Sequence, residues 1–188
     1  MRKVIFAINM SLNGCCGHTL FYPDEETMAY FTLLTRNADT FIYGRKTYQL
    51  MVPYWPDLAK NTPGENDRKV DIEFARAFDA VSKIIVFSKS LDNPEEEKTR
   101  IIRTGLHDEI LKLKQEQGKN ILTGGVTIPS QLAEPGLIDE YRFVIHPIVA
   151  GEGRRLFEGI KLQKKLHLKL VESTVFKSGC VALRYLVQ

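Results

Sequence analysis

The sequence predicts an α/β fold of three layers, a mostly parallel central sheet with helices on both faces that ends in an antiparallel C-terminal hairpin. Three observations carry this prediction. Short apolar runs of the kind found in strands buried on both faces alternate with stretches of helical spacing. Two of those runs end in glycine-bearing turns, Phe41-Ile42-Tyr43-Gly44-Arg45-Lys46-Thr47-Tyr48 and Ile121-Leu122-Thr123-Gly124-Gly125-Val126. From Ile138 onward the pattern changes to long strands, the last two separated by Lys177-Ser178-Gly179, which reads as a hairpin turn.

The elements follow in order. Val4 to Ile8 is the first strand, a continuous apolar run. Asp24 suits the N-cap of a helix that extends through Asn37. Glu25 and Glu26 match the positive end of its dipole, and Met28, Phe31, Leu33 and Leu34 lie along its apolar side. Thr40 to Tyr43 is the second strand. Residues 53–70 carry Pro53, Pro56, Pro63 and Gly64 among polar neighbours and read as a surface insertion. A helix is expected from Asp71 to about Phe78. Lys83–Ser88, Arg100–Arg103 and Asn120–Thr123 are three further short strands, with helical spacing over Leu106–Gln117 between the last two. Tyr141–His146, Leu166–Phe176 and Cys180–Val187 complete the sheet. With 188 residues and no internal repeat, the chain reads as one domain spanning 1–188.

Composition narrows the function classes. A hydrophobic content of 44% with 26% charged residues is that of a soluble globular protein, and a net charge of +3 is too small to argue for a nucleic-acid partner. No apolar stretch approaches the roughly 18 residues that span a bilayer, and Arg2-Lys3 leads straight into the first strand without a signal-peptide pattern. Three cysteines, adjacent Cys15 and Cys16 and the distant Cys180, lack metal-ligand spacing. That usage fits free thiols in a reducing cytoplasm. No His and Asp arrangement stands beside Cys15 or Cys16 to make either a nucleophile.

A glycine that ends a strand and opens a helix lets backbone N–H groups approach an anion at the positive end of the helix dipole. Arg45 adds a fork of donors and Thr47 a hydroxyl, which suits the first turn to a phosphate ester. Two such turns on one sheet point to a long, doubly phosphorylated ligand. Each turn also has a plainer reading: a tight strand-to-helix connection at Gly44, and close packing of helix on strand at Gly124-Gly125.

The motifs Ser11-Leu12-Asn13-Gly14, Gly44 to Tyr48, Ser88-Lys89-Ser90, Gly124-Gly125 and His146-Pro147-Ile148-Val149-Ala150-Gly151-Glu152-Gly153 with Leu156-Phe157 resemble, in that order, the dihydrofolate-reductase-like superfamily. The resemblance is closest to the branch that contains the C-terminal reductase domain of bifunctional riboflavin-biosynthesis enzymes, and it runs over nearly the whole chain. It implies a reductase that binds NADPH across the C-terminal edge of the sheet and delivers hydride to a small heterocyclic or sugar-derived substrate. The expected activity is that of a 5-amino-6-(5-phosphoribosylamino)uracil reductase, with a dihydrofolate or pteridine reductase as the related alternative. A non-catalytic NADPH-binding module is the alternative of another class. Relatives in this branch are commonly dimers, so a homodimer is implied as well.

The resemblance also places the site. Backbone amides at Ala7 and Ile8 meet the nicotinamide carboxamide; Gly44, Arg45, Lys46 and Thr47 and the turn Gly124, Gly125 and Val126 hold the phosphates. Ser88, Lys89 and Ser90 lie near the adenosine ribose and its 2′-phosphate, although a solvated loop explains the same residues. Asn13 and Gly14 face the substrate, although a plain turn explains them too. Asn13 stands where relatives most often have aspartate, and an amide cannot accept a proton as a carboxylate does. The helix carboxylate that holds a pteridine in dihydrofolate reductases falls near Met28, which cannot do that chemistry. Gly151 and Gly153 with Arg154 and Arg155 form a last anion loop, or a solvated connection. No side chain is assigned a catalytic role and no metal is expected.

Overall fold

Parallel pairing dominates the sheet of the computed structural model, which describes residues 1–62, 64, 67–92, 94, 97–160 and 165–188. Among the described residues the strands are β1 (Val4–Ser11), β2 (Ala38–Gly44), β3 (Lys83–Phe87), β4 (Thr99–Ile102), β5 (Asn120–Thr123), β6 (Glu140–His146), β7 (Leu168–Val175) and β8 (Val181–Val187). They form one sheet in the order β4-β3-β2-β5-β1-β6-β8-β7. The first six are mutually parallel, β8 runs antiparallel to β6, and β7 runs antiparallel to β8. This is the α/β architecture with an antiparallel C-terminal hairpin that the order of elements predicts.

The helices are α1 (Glu25–Arg36), α2 (Arg45–Met51), α3 (Tyr54–Lys60), α4 (Lys69–Asp79), α5 (Leu106–Gln115) and α6 (Thr127–Ala133). They divide between the faces because side chains alternate along each strand. On β1, Ile5 and Ala7 pack with Met28 and Leu34 of α1 and with Phe74 and Phe78 of α4. Val4, Phe6 and Ile8 turn the other way, onto Ile110 and Leu113 of α5 and Ile128 and Leu132 of α6. The continuous apolar run of β1 is thus the signature of a strand covered on both faces.

Asp24 caps α1, its Oδ1 accepting from the Thr27 N–H at 2.7 Å. Several boundaries differ from the sequence reading by a residue or two, and two regions differ by more. β1 continues to Ser11 because Asn9, Met10 and Ser11 keep pairing with Val144, Ile145 and His146, although polar Asn9 and Ser11 interrupt the apolar run. The expected insertion at 53–70 contains α3, and α4 begins at Lys69. Pro53 is the N-cap of α3 and Pro56 lies in its first turn, where a missing N–H has no helical partner to lose. Trp55 anchors α3 on Phe74 with ring centroids 4.6 Å apart. Pro63 lies outside the described residues.

The N-terminal edge of the sheet is tied by Arg2, whose side chain is 4% exposed. Its guanidinium donates to Lys119 O at 2.7 Å and Thr40 Oγ1 at 2.8 Å, and pairs with Asp39 and Glu116. A concavity of about 370 Å³ beside it is lined by Arg2, Asn37, Glu116 and Lys119. It lies at the end of the sheet opposite the glycine turns.

Candidate functional site

The strand order reverses at β5 and β1. From β1 the chain crosses through α1 to β2 on one side, whereas from β5 it crosses through α6 to β6 on the other. A crevice opens outside the carboxyl ends of parallel strands at such a point. Its walls follow from unequal strand lengths. β5 stops at Thr123, opposite Phe6, while β1 continues beside β6 as far as Ser11. From Ala7 onward β1 therefore has a strand neighbour on one side only, and its open side faces the turn that leaves β5.

Ile42 of β2 pairs with Thr123 of β5, so the two glycine turns leave adjacent strand ends and meet. Gly125 has φ +78°, and a Cβ there would collide with Thr47 Oγ1. A Cβ on Gly124 would lie 3.4 Å from Ala7 O. Gly44 has an ordinary φ of −83°, so its lack of a side chain serves packing instead: a Cβ would sit 3.3 Å from Ile128 Cγ1 of α6. The close-packing reading holds at Gly44 and Gly125, and that packing brings two helix starts together. Arg45 and Lys46 are exposed on the first turn of α2, with Thr47 half-buried between the turns.

One residue of the 151–155 loop joins them. Arg154 donates to Thr127 Oγ1 at 3.0 Å and so lies over the start of α6, beside Gly124, Gly125 and Val126. Arg155 does not; its backbone pairs with Cys15 and its N–H meets Glu158 Oε2. At the far side, Ser88 Oγ accepts from the N–H groups of Ser90 and Leu91 and closes its own loop, leaving Lys89 and Ser90 exposed. Arg103, after β4, donates to Lys89 O at 2.9 Å and brings to this loop a guanidinium that the sequence reading did not include.

In the loop after β1, Asn13 is half-buried and its carboxamide is committed. Oδ1 accepts from Ser11 Oγ at 2.8 Å and Ala150 N at 3.0 Å, and Nδ2 donates to Ala150 O at 2.7 Å. Only one amide hydrogen is left. A carboxylate has no N–H to give Ala150 O, so the asparagine clamps the loop after β1 to the loop after β6. Gly14 belongs to the same seam: its carbonyl accepts from Leu156 N, while Leu12 N reaches Ile148 O and Cys16 N reaches Arg154 O. Cys16 is unsuited to nucleophilic work, since burial, followed by neighbouring Cys15, pushes its thiol up to about 11.

Beyond the Asn13 seam, His146 at the end of β6 is buried, stacked on Phe21 with centroids 4.4 Å apart, and bonded to Asn9 and Cys180. Burial holds its imidazole below the ordinary value of 6.5, against the pull of Asp24. Asp24 is in turn held below the usual carboxylate range: burial opposes this, but hydrogen bonds from Ser178 and Thr27 prevail. Above Phe21, Arg68 donates to Pro23 O at 2.9 Å, pairs with Asp71 and lies 4.6 Å from the Tyr22 ring centroid, strapping the segment before α1 onto α4. Met28 is buried in the same core cluster as Ala7. No cluster of potential metal ligands occurs among the described residues.

Sequence reasoning missed Asn9, Arg103 and the buried role of His146. Asn9 carried a signal, since a polar residue at β spacing from Ile5 and Ala7 continues an inward-facing row.

The model of the RibD C-terminal domain matches residues 2–182. The uncharacterized protein YyaP of Bacillus subtilis (strain 168) is 34% identical over 192 residues, covering 98% of this chain and 94% of that protein. In fold the chain is similar to a putative riboflavin biosynthesis protein from Shewanella sp. PV-4, with TM-score 0.71 and 20% identity over 100% of this chain and 99% of the other. It is also similar to the diaminohydroxyphosphoribosylaminopyrimidine deaminase/5-amino-6-(5-phosphoribosylamino)uracil reductase from Thermotoga maritima, with TM-score 0.67 and 16% identity over 100% of this chain and 57% of the other.

Proposed function

This chain belongs to the RibD C-terminal domain family, and from that premise we propose that it is an NADPH-dependent reductase whose substrate is a small heterocycle of the 5-amino-6-(5-phosphoribosylamino)uracil kind. The observation that carries this reading is the meeting of the two glycine turns at the strand-order reversal, with Arg45, Lys46 and Arg154 around them. A turn without side chains at Gly124 and Gly125, packed beside the start of α2, supports the reading because backbone N–H groups at a helix start suit a phosphate.

In this reading the pyrophosphate lies between Gly44–Thr47 and Gly124–Val126. The 2′-phosphate meets Lys89, Ser90 and Arg103, and the nicotinamide carboxamide meets the open side of β1 at Ala7 and Ile8. The cofactor supplies hydride from C4 of its nicotinamide ring. The protein's residues orient and enclose: β1 offers its unpaired edge, the Asn13 seam holds two loops as one wall, and Met28 and Phe31 give the α1 side an apolar surface that excludes water.

Met28 weighs against the dihydrofolate or pteridine alternative. It is buried where that chemistry needs a carboxylate, and neither Glu25 nor Glu26 is near, both lying in the first turn of α1.

Arg45→Ala is expected to raise the dissociation constant of NADPH about ten-fold or more, since a hydrogen bond to a charged group is worth about 1.5–3 kcal/mol. Titration by NADPH fluorescence checks this, and identical curves for mutant and wild type remove Arg45 from the site. NADPH oxidation is then followed at 340 nm with 5-amino-6-(5-phosphoribosylamino)uracil and with dihydrofolate. Stoichiometric NADPH binding with no NADPH oxidation in the presence of either would leave the non-catalytic module as the better reading.

The same reading places the protein in a reducing cytoplasm, in keeping with three free thiols. Among the described residues no helix is long and apolar enough to cross a membrane. It also makes the protein a homodimer through the C-terminal edge, where β7 exposes Leu170, Val171 and Val175. Sedimentation velocity is expected to show a dimer that Val171→Lys converts to monomer.

A further inference from the structure

A chain of three polar side chains on the α1 side of the sheet leads to one that has donors to spare. Ile5, Ala7, Asn9 and Ser11 alternate along that side of β1. Asn9 Oδ1 lies 3.0 Å from His146 Nε2, and His146 Nδ1 lies 3.3 Å from Cys180 Sγ. An amide oxygen only accepts, so Nε2 carries the imidazole hydrogen, and Nδ1, left bare, accepts from the thiol. His146 is 5% exposed and Cys180 4%, with Phe21 stacked over the ring, so this tautomer is locked by packing on every side.

The consequence falls on Asn9. With its oxygen held by His146, its NH₂ group turns away from β6 and the C-terminal hairpin. No partner among the described residues takes those two hydrogens, and the residue is half-buried rather than sealed. Asn9 stands one pleat beyond Ala7, on the length of β1 that has lost β5 as neighbour. The free donors therefore border the crevice just past the position expected for the nicotinamide.

We propose that Asn9 sets substrate specificity: its NH₂ group, aimed by His146, donates to a carbonyl or lactam oxygen of the bound ring, so that the site takes oxo-substituted pyrimidines over their amino-substituted counterparts. This rests on the reductase reading for the location of the ring. His146 and Cys180 are positioning residues, acting through Asn9. An amino group facing the two donors leaves buried polar groups unpaired, which is how a hydrogen-bonding site rejects the wrong analogue.

The test uses uridine and cytidine 5′-monophosphates, which differ by oxo against amino at one ring position. In ¹⁵N-labelled protein the Asn9 side-chain amide signals, identified by their loss in Asn9→Asp, are expected to shift on uridine monophosphate binding, with cytidine monophosphate bound about ten-fold more weakly or worse. Asn9→Asp, acceptor only, is expected to reverse the preference, and Asn9→Ala to abolish it with NADPH affinity unchanged. His146→Gln, which can still donate, retains selectivity that His146→Phe loses. Asn9 signals unmoved by uridine monophosphate, or selectivity intact in Asn9→Ala, overturn the proposal. Selectivity without NADPH oxidation on any substrate keeps the Asn9 assignment and removes the reductase reading; oxidation with Asn9 unmoved does the reverse.

Discussion

Gly125→Val is expected to lower folding stability by about 2–5 kcal/mol and to abolish measurable NADPH binding. Two costs combine. At φ +78° an L side chain is strained by roughly 1–2 kcal/mol, and a β-branched one by more. The new Cβ also collides with Thr47 Oγ1, an overpacking of about 1–3 kcal/mol that short, stiff Thr47 cannot relieve by swinging aside. Urea unfolding separates the two. Gly105 has φ +70° with nothing within 4 Å of its Cβ position, so Gly105→Ala reports the conformational cost alone. Adding Thr47→Ala to Gly125→Ala is expected to recover part of the difference. A Gly125→Ala loss no larger than that of Gly105→Ala would show that the turns do not meet as described.

Arg2→Met is expected to cost about 3 kcal/mol, the low end of the roughly 3–5 kcal/mol for breaking a buried ion pair by removing one partner. The low end applies because Asp39 and Glu116 keep 25% and 34% side-chain exposure, so water takes over part of their solvation. What is not replaced is the joining of three segments: Arg2 reaches Asp39 and Thr40 of β2, the Lys119 carbonyl before β5, and Glu116 after α5. Lys3, its exposed neighbour, is the control, and Lys3→Met should change stability by no more than about 0.5 kcal/mol. Equal losses at both positions by urea unfolding would remove the tie.

The layers of the fold were legible because burial on both faces leaves continuous apolar runs, and Val4–Ile8, Phe41–Tyr43 and Ile84–Phe87 are such runs. The order of the strands was not, because neighbours are chosen by packing among residues far apart in the chain. α3 was hidden by Pro53 and Pro56, which break helices inside but not in the first turn. The meeting of Gly44 and Gly125 could be anticipated only as two turns on one edge. What holds Asn13 was not legible, because its neighbours do not reveal Ala150, 137 residues on, as its partner. The same separation of 137 divides Asn9 from His146, and each alone looks like an ordinary polar residue at a strand end.

β1 also fixes the order in which the molecule can assemble. Its partners in the sheet are β5, where Val4 meets Ile121, and β6, where Ile5 meets Glu140. The first strand of this sequence is therefore a central one, and it has no lasting place until β5 and β6 have followed. Closing loops of that length precedes any reward from the contacts, which slows folding and leaves an apolar strand unpaired in the meantime. The crevice, formed where β1 outruns β5, is a late product of that assembly, and no fragment that ends before β6 can contain it.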